Sequence, residues 1–352
     1  SLINERIKFI MAFTTINKSS EHFNTVLYTG NGASTHAITG VGFQPDWNWH
    51  KIRNDTDWHM VNDAVRGANY AIYPNANNAE GNVPTGLKSF DSDGFTVGSL
   101  NDSNQNNGTF VSWNWKANGT GSANTDGSIN STVSANTTSG FSIVSYTGTG
   151  ANATVGHGLG VAPSFVIIKD RDNAISWVVS GDNIGWNKNM YLDSTQAVQT
   201  ANHFQDTAPT NSLMYLSTDA AVNGSSRNYI MYCFAEKQGY SKFGSYAGNG
   251  NNDGSFIYTG FSTAFVMTKN IGATENWAIW DNKRIPFNAN TTILRADSAN
   301  AETSGYSVDF VSNGFKLRGG DGKINGTGAS YIYMAFAEAP LVGTNNIPAN
   351  AR

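Results

Sequence analysis

Six histidines, one cysteine and 26 acidic residues carry most of the chemistry this chain could perform. His22, His36, His50, His59, His157 and His203 stand singly, whereas a metal centre needs ligands grouped at short, regular spacings. Asn249-Gly250-Asn251-Asn252-Asp253-Gly254 begins like a calcium loop, but the twelfth position, where a bidentate Glu belongs, is Gly260. Asp55/Asp57 and Asp91/Asp93 are close carboxylate pairs such as a glycosidase uses. Neither pair recurs in the repeats described below, and acidic pairs are common in turns. There is no Gly-x-Ser-x-Gly elbow and no phosphate-cradling glycine loop. Cys233, set among Tyr229-Ile230-Met231-Tyr232 and Phe234, reads as a core thiol, and a single cysteine excludes an intrachain disulfide. The expectation is a protein without catalytic residues, metal or cofactor.

The residues that organise the chain are repeated. Tyr146-Thr147-Gly148-Thr149-Gly150, then Gly160, then Phe165-Val166-Ile167-Ile168-Lys169 matches Tyr28 to Lys51 before it and Tyr246 to Lys269 after it. The Tyr-to-Gly offset of 14 residues and the Tyr-to-Lys offset of 23 are the same in all three copies, so this is an internal repeat. Trp47-Asn48-Trp49-His50-Lys51 alternates, which puts Trp47 and Trp49 on one strand face and Asn48 and His50 on the other, with Lys51 at the rim. Copies two and three have Phe165/Ile167 and Phe265/Met267 on the first face, which therefore reads as core.

Trp58, Trp177 and Trp277 mark a second strand after each lysine and read as packing anchors. Asp63-Ala64-Val65-Arg66 and Asp281-Asn282-Lys283-Arg284 share an Asp-x-x-Arg spacing. Copy two keeps Asp182 but has Gly185 in the arginine's place, so a turn-stabilising pair is expected. Phe90 to Val97 and Phe310 to Leu317 read as hairpins around Asp93-Gly94 and Asn313-Gly314. Each copy closes on an aromatic-rich strand ending near Trp115, Phe234 or Phe336. With short strands, Gly/Asn turns and no helical period, the fold class is all-β, as three tandem β-sandwich repeats of jelly-roll or lectin-like type.

The expected organisation is an N-terminal leader or arm over 1–24, repeats over 25–117, 141–239 and 240–340, an Asn/Ser/Thr/Gly-rich linker over 118–140, and an extended arm over 341–352. Residues 1–10 precede Met11-Ala12-Phe13, which reads as a natural start. Charged residues make up 14% of the chain, against about 25% in typical soluble domains, and the net charge is −4. No basic run offers a nucleic-acid footprint, and the Ile7 to Ile16 stretch falls short of the roughly 20 apolar residues of a membrane span. Neither nucleic acid nor membrane insertion is expected.

Thr14-Thr15-Ile16-Asn17-Lys18-Ser19-Ser20, Ile38-Thr39-Gly40-Val41-Gly42-Phe43-Gln44-Pro45-Asp46, Val155-Gly156-His157-Gly158-Leu159-Gly160-Val161-Ala162-Pro163 and Tyr240-Ser241-Lys242-Phe243-Gly244-Ser245-Tyr246 resemble a repeat family of marine bacteriophage virion proteins, described as tail-fibre-like or of unknown function. The resemblance covers Met11 to Arg352 and transfers no catalytic residue. It implies a virion structural or host-recognition part, located on the particle surface. Other virion proteins are its expected partners, with host glycan as a further one, and a homo-oligomer, by analogy with fibres a trimer, is expected. A capsid decoration or fibre shaft without a ligand, and a polysaccharide-cleaving tail spike, are the alternatives.

Copy one departs from the others at Asn48 and His50, where copy two has Val166 and Ile168. Burying an amide and an imidazole without partners costs roughly 1–3 kcal/mol each. That face is therefore either open to water or paired with polar groups that the other copies lack. Read as open, it is a candidate ligand surface, with His59 and Arg66 as neighbours and Tyr70 or Tyr73 as an aromatic platform for a sugar.

Overall fold

A computed structural model describes residues 13–348, and the first twelve residues of the expected leader or arm over 1–24 and the last four residues of the chain lie outside them. The protein is all-β; among the described residues the helices are a 3-10 turn at Ser19–Glu21 and single α-turns at Asn101–Asn104 and Ala220–Asn223. Each copy of the repeat forms the same four-strand ladder. An opening strand (Phe23–Thr29, Phe141–Thr147, Ser241–Ala247) pairs with a closing strand (Thr109–Trp115, Asn228–Phe234, Ser330–Pro340). The closing strand pairs on its other side with a lysine strand (Trp47–Ile52, Phe165–Asp170, Phe261–Asn270), which pairs with a return strand (Met60–Asp63, Val178–Gly181, Ala278–Asp281). All pairings are antiparallel, and β-branched and aromatic residues at alternate positions suit them to two-sided burial.

The period of two sends each strand's residues to opposite faces, and the inner faces of all three ladders meet. Trp47, Trp49, Trp113 and Trp115 of the first, Phe165, Ile167, Tyr232 and Phe234 of the second, and Phe265, Met267, Met334 and Phe336 of the third belong to one apolar cluster. Trp47 lies 4.7 Å from Tyr232 and Phe23 lies 5.3 Å from Phe336, ring centre to ring centre. The outer faces of the second and third ladders pack on separate cores of their own, around Val166 and Met231 and around Val266 and Trp280. The first ladder's outer face is covered by a small sheet of His36–Thr39, Gly94–Val97 and Leu87–Asp91, whose apolar residues cluster around Phe95.

Two segments depart from expectation. Within 118–140, Ser131–Asn136 pairs along its length with Phe141–Thr147, and Ser122–Asn124 adds a further strand, so this stretch is a sheet edge and not a linker. Its Asn/Ser/Thr composition satisfies an edge strand, which needs side chains that tolerate water. The arm from residue 341 turns back on itself through Gly343 N–H to Ile347 O at 2.9 Å, and Thr344 N–H donates to Asn17 Oδ1 at 2.8 Å.

The ladders close into a ring through repeated contacts. Glu80 N–H donates to Arg171 O, Val198 N–H to Ile271 O, and Glu302 N–H to Arg53 O, at 2.8, 2.9 and 2.8 Å. Between ladders one and two, Asp63 pairs with Arg66, which donates to Glu80 at 3.0 Å; Arg171 donates to Glu80 at 2.8 Å, and the Tyr232 hydroxyl to Asp63 at 2.7 Å. Between three and one, Asp281, Arg284, Glu302 and Arg53 repeat that network, with Trp113 Nε1 donating to Asp281 at 3.0 Å. Between two and three the same places hold Gly181, Ile184, Val198, Ile271 and Met334, so every charged or donating member is replaced together. Strand register fixes the match, because Gly181 lies opposite Phe165 as Asp63 lies opposite Trp47. Matching Asp182 and Gly185 to the Asp-x-x-Arg pair was one residue out, and the pair is an inter-ladder anchor as well as a turn brace.

A buried ion pair deprived of one partner leaves an uncompensated charge, whereas replacement of the whole group by apolar residues is often neutral. Arg66→Ile alone is therefore expected to cost about 3–5 kcal/mol in urea unfolding. The concerted set Asp63→Gly, Arg66→Ile, Glu80→Val, Arg171→Ile and Tyr232→Met, which copies the second junction, should cost less than that single change.

Candidate functional site

Asn48 and His50 do not form an open face. Both are fully buried between the first ladder and the small sheet that covers it. Asn48 Nδ2 donates to Ser112 Oγ and Asn114 Oδ1, each at 2.8 Å, and His50 Nδ1 lies 2.7 Å from Asn48 Oδ1. At the places of Ser112 and Asn114 the second ladder has Met231 and Cys233, so the polar partners are ones the other copies lack. The His50 ring stacks on Phe95, and burial holds its pKa down to about 3. His59 is also buried and receives a hydrogen bond from Trp49 Nε1 at 2.9 Å, while Arg66 is committed to the first junction. Four of the six proposed ligand-binding residues are thus structural. The other two, Tyr70 and Tyr73, reach the surface, and Tyr73 finds a different neighbour.

That neighbour is Trp58. Strand register makes His59, not Trp58, the counterpart of Trp177 and Trp277, since His50 pairs with Met60 as Ile168 pairs with Val178 and Thr268 with Ala278. Trp177 and Trp277 are buried and donate across junctions, to the Tyr73 and Ala76 carbonyls and to the Tyr191 carbonyl. Trp58 is displaced outward, 37% exposed, with its ring 4.8 Å from Tyr73 in an edge-on arrangement. Ser176 and Asn276 hold its place in the other copies.

Beside this aromatic pair lie Asp57 and Asp102. Asp57 is fixed by its N–H bond to Ala299 O at 3.1 Å across the third junction, and Asp102 sits in the short Asn101–Asn104 helix. Asn104 of that helix is buried and binds Asn31 N–H and Gly98 O, as Asn223 and Asn325 do at their equivalents, which aligns the three sites residue by residue. Gly30 belongs to the same clamp, because a Cβ there would collide with the Gln105 carbonyl. The pair Asp57/Asp102 then corresponds to Ile175/Ala221 in copy two and to Glu275/Lys323 in copy three, the last an ion pair at 3.1 Å. One site is closed by apolar contact, one by opposite charges, and the first holds two carboxyls. Burial, then the hydrogen bond and charge of Asp57, push the Asp102 carboxyl up to about 8.

Lys51 adjoins this group. It is buried, not at the rim, and its ammonium donates to the carbonyls of Ile52 and Asp55 at 2.6 and 3.2 Å. Lys169 and Lys269 donate to the equivalent carbonyls of Asp170 and Asn173 and of Asn270 and Ala273. Burial lowers all three to about 8. The fixed Tyr-to-Lys spacing signalled these lysines, and only the fold shows that they cap the loop that follows. Two carboxyls in hydrogen-bond contact are closer than the roughly 5 Å separation of a retaining glycosidase pair. Chemically the group offers hydrogen bonds beside an aromatic edge. Among the described residues no three His, Cys, Asp or Glu side chains gather as metal ligands.

Asp102 has a folded pKa above its unfolded value, so the folded state binds more protons between about pH 4 and 8 and stability falls as pH rises through that window. In Asp102→Asn this contribution is absent, and the unfolding free energy of the variant relative to the parent should grow from pH 4 to pH 8 in denaturant titrations. Asn48→Val, which strands Ser112 and Asn114, should cost about 1–3 kcal/mol in the same assay.

No curated protein matches the chain. The DUF7483 family, described as a domain of unknown function, matches residues 18–340, from the 3-10 turn before the first opening strand to the end of the last closing strand. The match spans nearly all of the ring, and the chain belongs to this family.

Proposed function

We propose that the protein is a non-enzymatic recognition module of a virion exterior: three β-sandwich units of jelly-roll or lectin-like type, displayed on a tail-fibre-like part and contacting a host-surface glycan. The observation that carries the recognition reading is the comparison of the three equivalent sites. Two are closed, by Ile175/Ala221 and by Glu275/Lys323, and the first sets Asp57 and Asp102 beside a solvent-facing Trp58 and Tyr73. A scaffold of repeated ladders in which one copy sets two carboxyls beside a partly exposed aromatic pair suits binding, since aromatic faces with a few convergent polar groups are what sugar sites use. The resemblance to virion repeat proteins supports the setting, with other virion proteins as partners and a trimer of the 37.8 kDa chain as the assembly.

Trp58→Ala should keep the parent's circular dichroism, because the ring is partly exposed, and should lower binding on a glycan array of host-surface polysaccharides by roughly tenfold. Unchanged binding would remove this site from the proposal. Incubation with the same polysaccharides should release no reducing ends; release that Asp102→Asn abolishes would favour a cleaving spike instead.

A further inference from the structure

The third ladder carries four residues that the others lack. From Arg66 to Tyr73 and from Ile184 to Tyr191 the count is seven, and from Arg284 to its counterpart Arg295 it is eleven. The extra residues fall in the loop around 285–289, which forms one wall of a cleft of about 370 Å³. That volume lies in the roughly 300–1,000 Å³ range of small-molecule sites. Phe310 and Val311 form the facing wall, and Ser262, Asn282 and Glu338 also line it.

Two features of this cleft point to a ligand. Phe287 is 79% exposed, an apolar ring held in water by a loop that is itself pinned. The pin is Asn288, whose Nδ2 donates to Phe310 O at 2.8 Å and whose Oδ1 accepts from Phe310 N–H at 2.9 Å. Second, Glu338 is exposed at the cleft and oriented by Ser262 Oγ, which donates to it at 3.2 Å.

We propose that this cleft binds one neutral pyranose residue of a glycan, its C–H face on Phe287 and its hydroxyls donating to the Glu338 carboxylate. A pyranose supplies both an apolar face for the exposed ring and hydroxyl donors for the carboxylate. Glu338 disfavours uronic and sialic acids by like charge. The assignment extends the glycan reading to a second place in the chain and rests on that reading.

The test uses the full chain as parent, Trp58→Ala, and Trp58→Ala with Phe287→Ala, each probed by saturation-transfer NMR. The probes are the methyl glycosides of glucose, galactose, mannose and N-acetylglucosamine, with those of glucuronic and sialic acid as anionic probes. The expected result is that Trp58→Ala still binds a neutral glycoside and that adding Phe287→Ala weakens binding roughly tenfold or more. Phe287 is exposed, so its removal leaves the fold intact. Binding by the parent that Trp58→Ala abolishes, binding that survives Phe287→Ala, or preference for an anionic glycoside overturns the cleft assignment and leaves the glycan reading standing. Absence of binding by the parent to every glycoside overturns both.

Discussion

Three sheets, each with an apolar face, bury those faces against one another, and everything else in the structure follows from that. Each ladder has one face covered by its own loops and hairpins, and the other, with Trp47 and Trp49 or their equivalents, is covered only by the other two ladders. The cheapest partner for such a face is another like it. With three ladders in one chain, the inner faces fill a single core, and no inner face remains for a further copy. This makes the junctions between ladders as important as the sheets.

The junctions show how a repeat can diverge without losing the ring. Two use an Asp–Arg–Glu–Arg network capped by a donor from the adjacent closing strand, and one uses Gly181, Ile184, Val198, Ile271 and Met334. Either set is self-consistent, and a mixture is not, because a half-replaced ion network strands a buried charge. The same logic governs the outer face of the first ladder, where Asn48, His50, Ser112 and Asn114 together form a hydrogen-bonded layer. Divergence that is free of such coupling is left to positions facing water: Trp58 in the first copy and the longer loop bearing Phe287 in the third.

The repeat and the alternation of the lysine strand were legible because they depend on spacing alone, and Trp49, Ile167 and Met267 do occupy equivalent buried places. Residue type and register disagree at two places: His59, not Trp58, stands at the place of Trp177 and Trp277, and Gly181, not Asp182, stands at the place of Asp63. The polarity of the Asn48/His50 face was legible, and of the two outcomes it allowed, open to water or paired with polar groups that the other copies lack, the fold has the second. Burial there depends on a small sheet drawn from residues 36–39, 87–91 and 94–97, which no local pattern connects to the lysine strand. The inter-ladder network was invisible for the same reason, since Glu80 meets Arg171 and Glu302 meets Arg53 only once the ring has closed.

If one core joins the ladders, they must unfold together. Equilibrium urea unfolding of the full chain, followed in parallel by tryptophan emission, to which Trp47, Trp49, Trp113, Trp115, Trp177 and Trp277 contribute from the shared core, and by far-ultraviolet circular dichroism, which reports every strand, measures this directly. The account predicts a single transition with coincident midpoints by both probes. Separate transitions, with loss of the central tryptophan signal while most strand signal persists, would show three independently stable units and contradict the shared core.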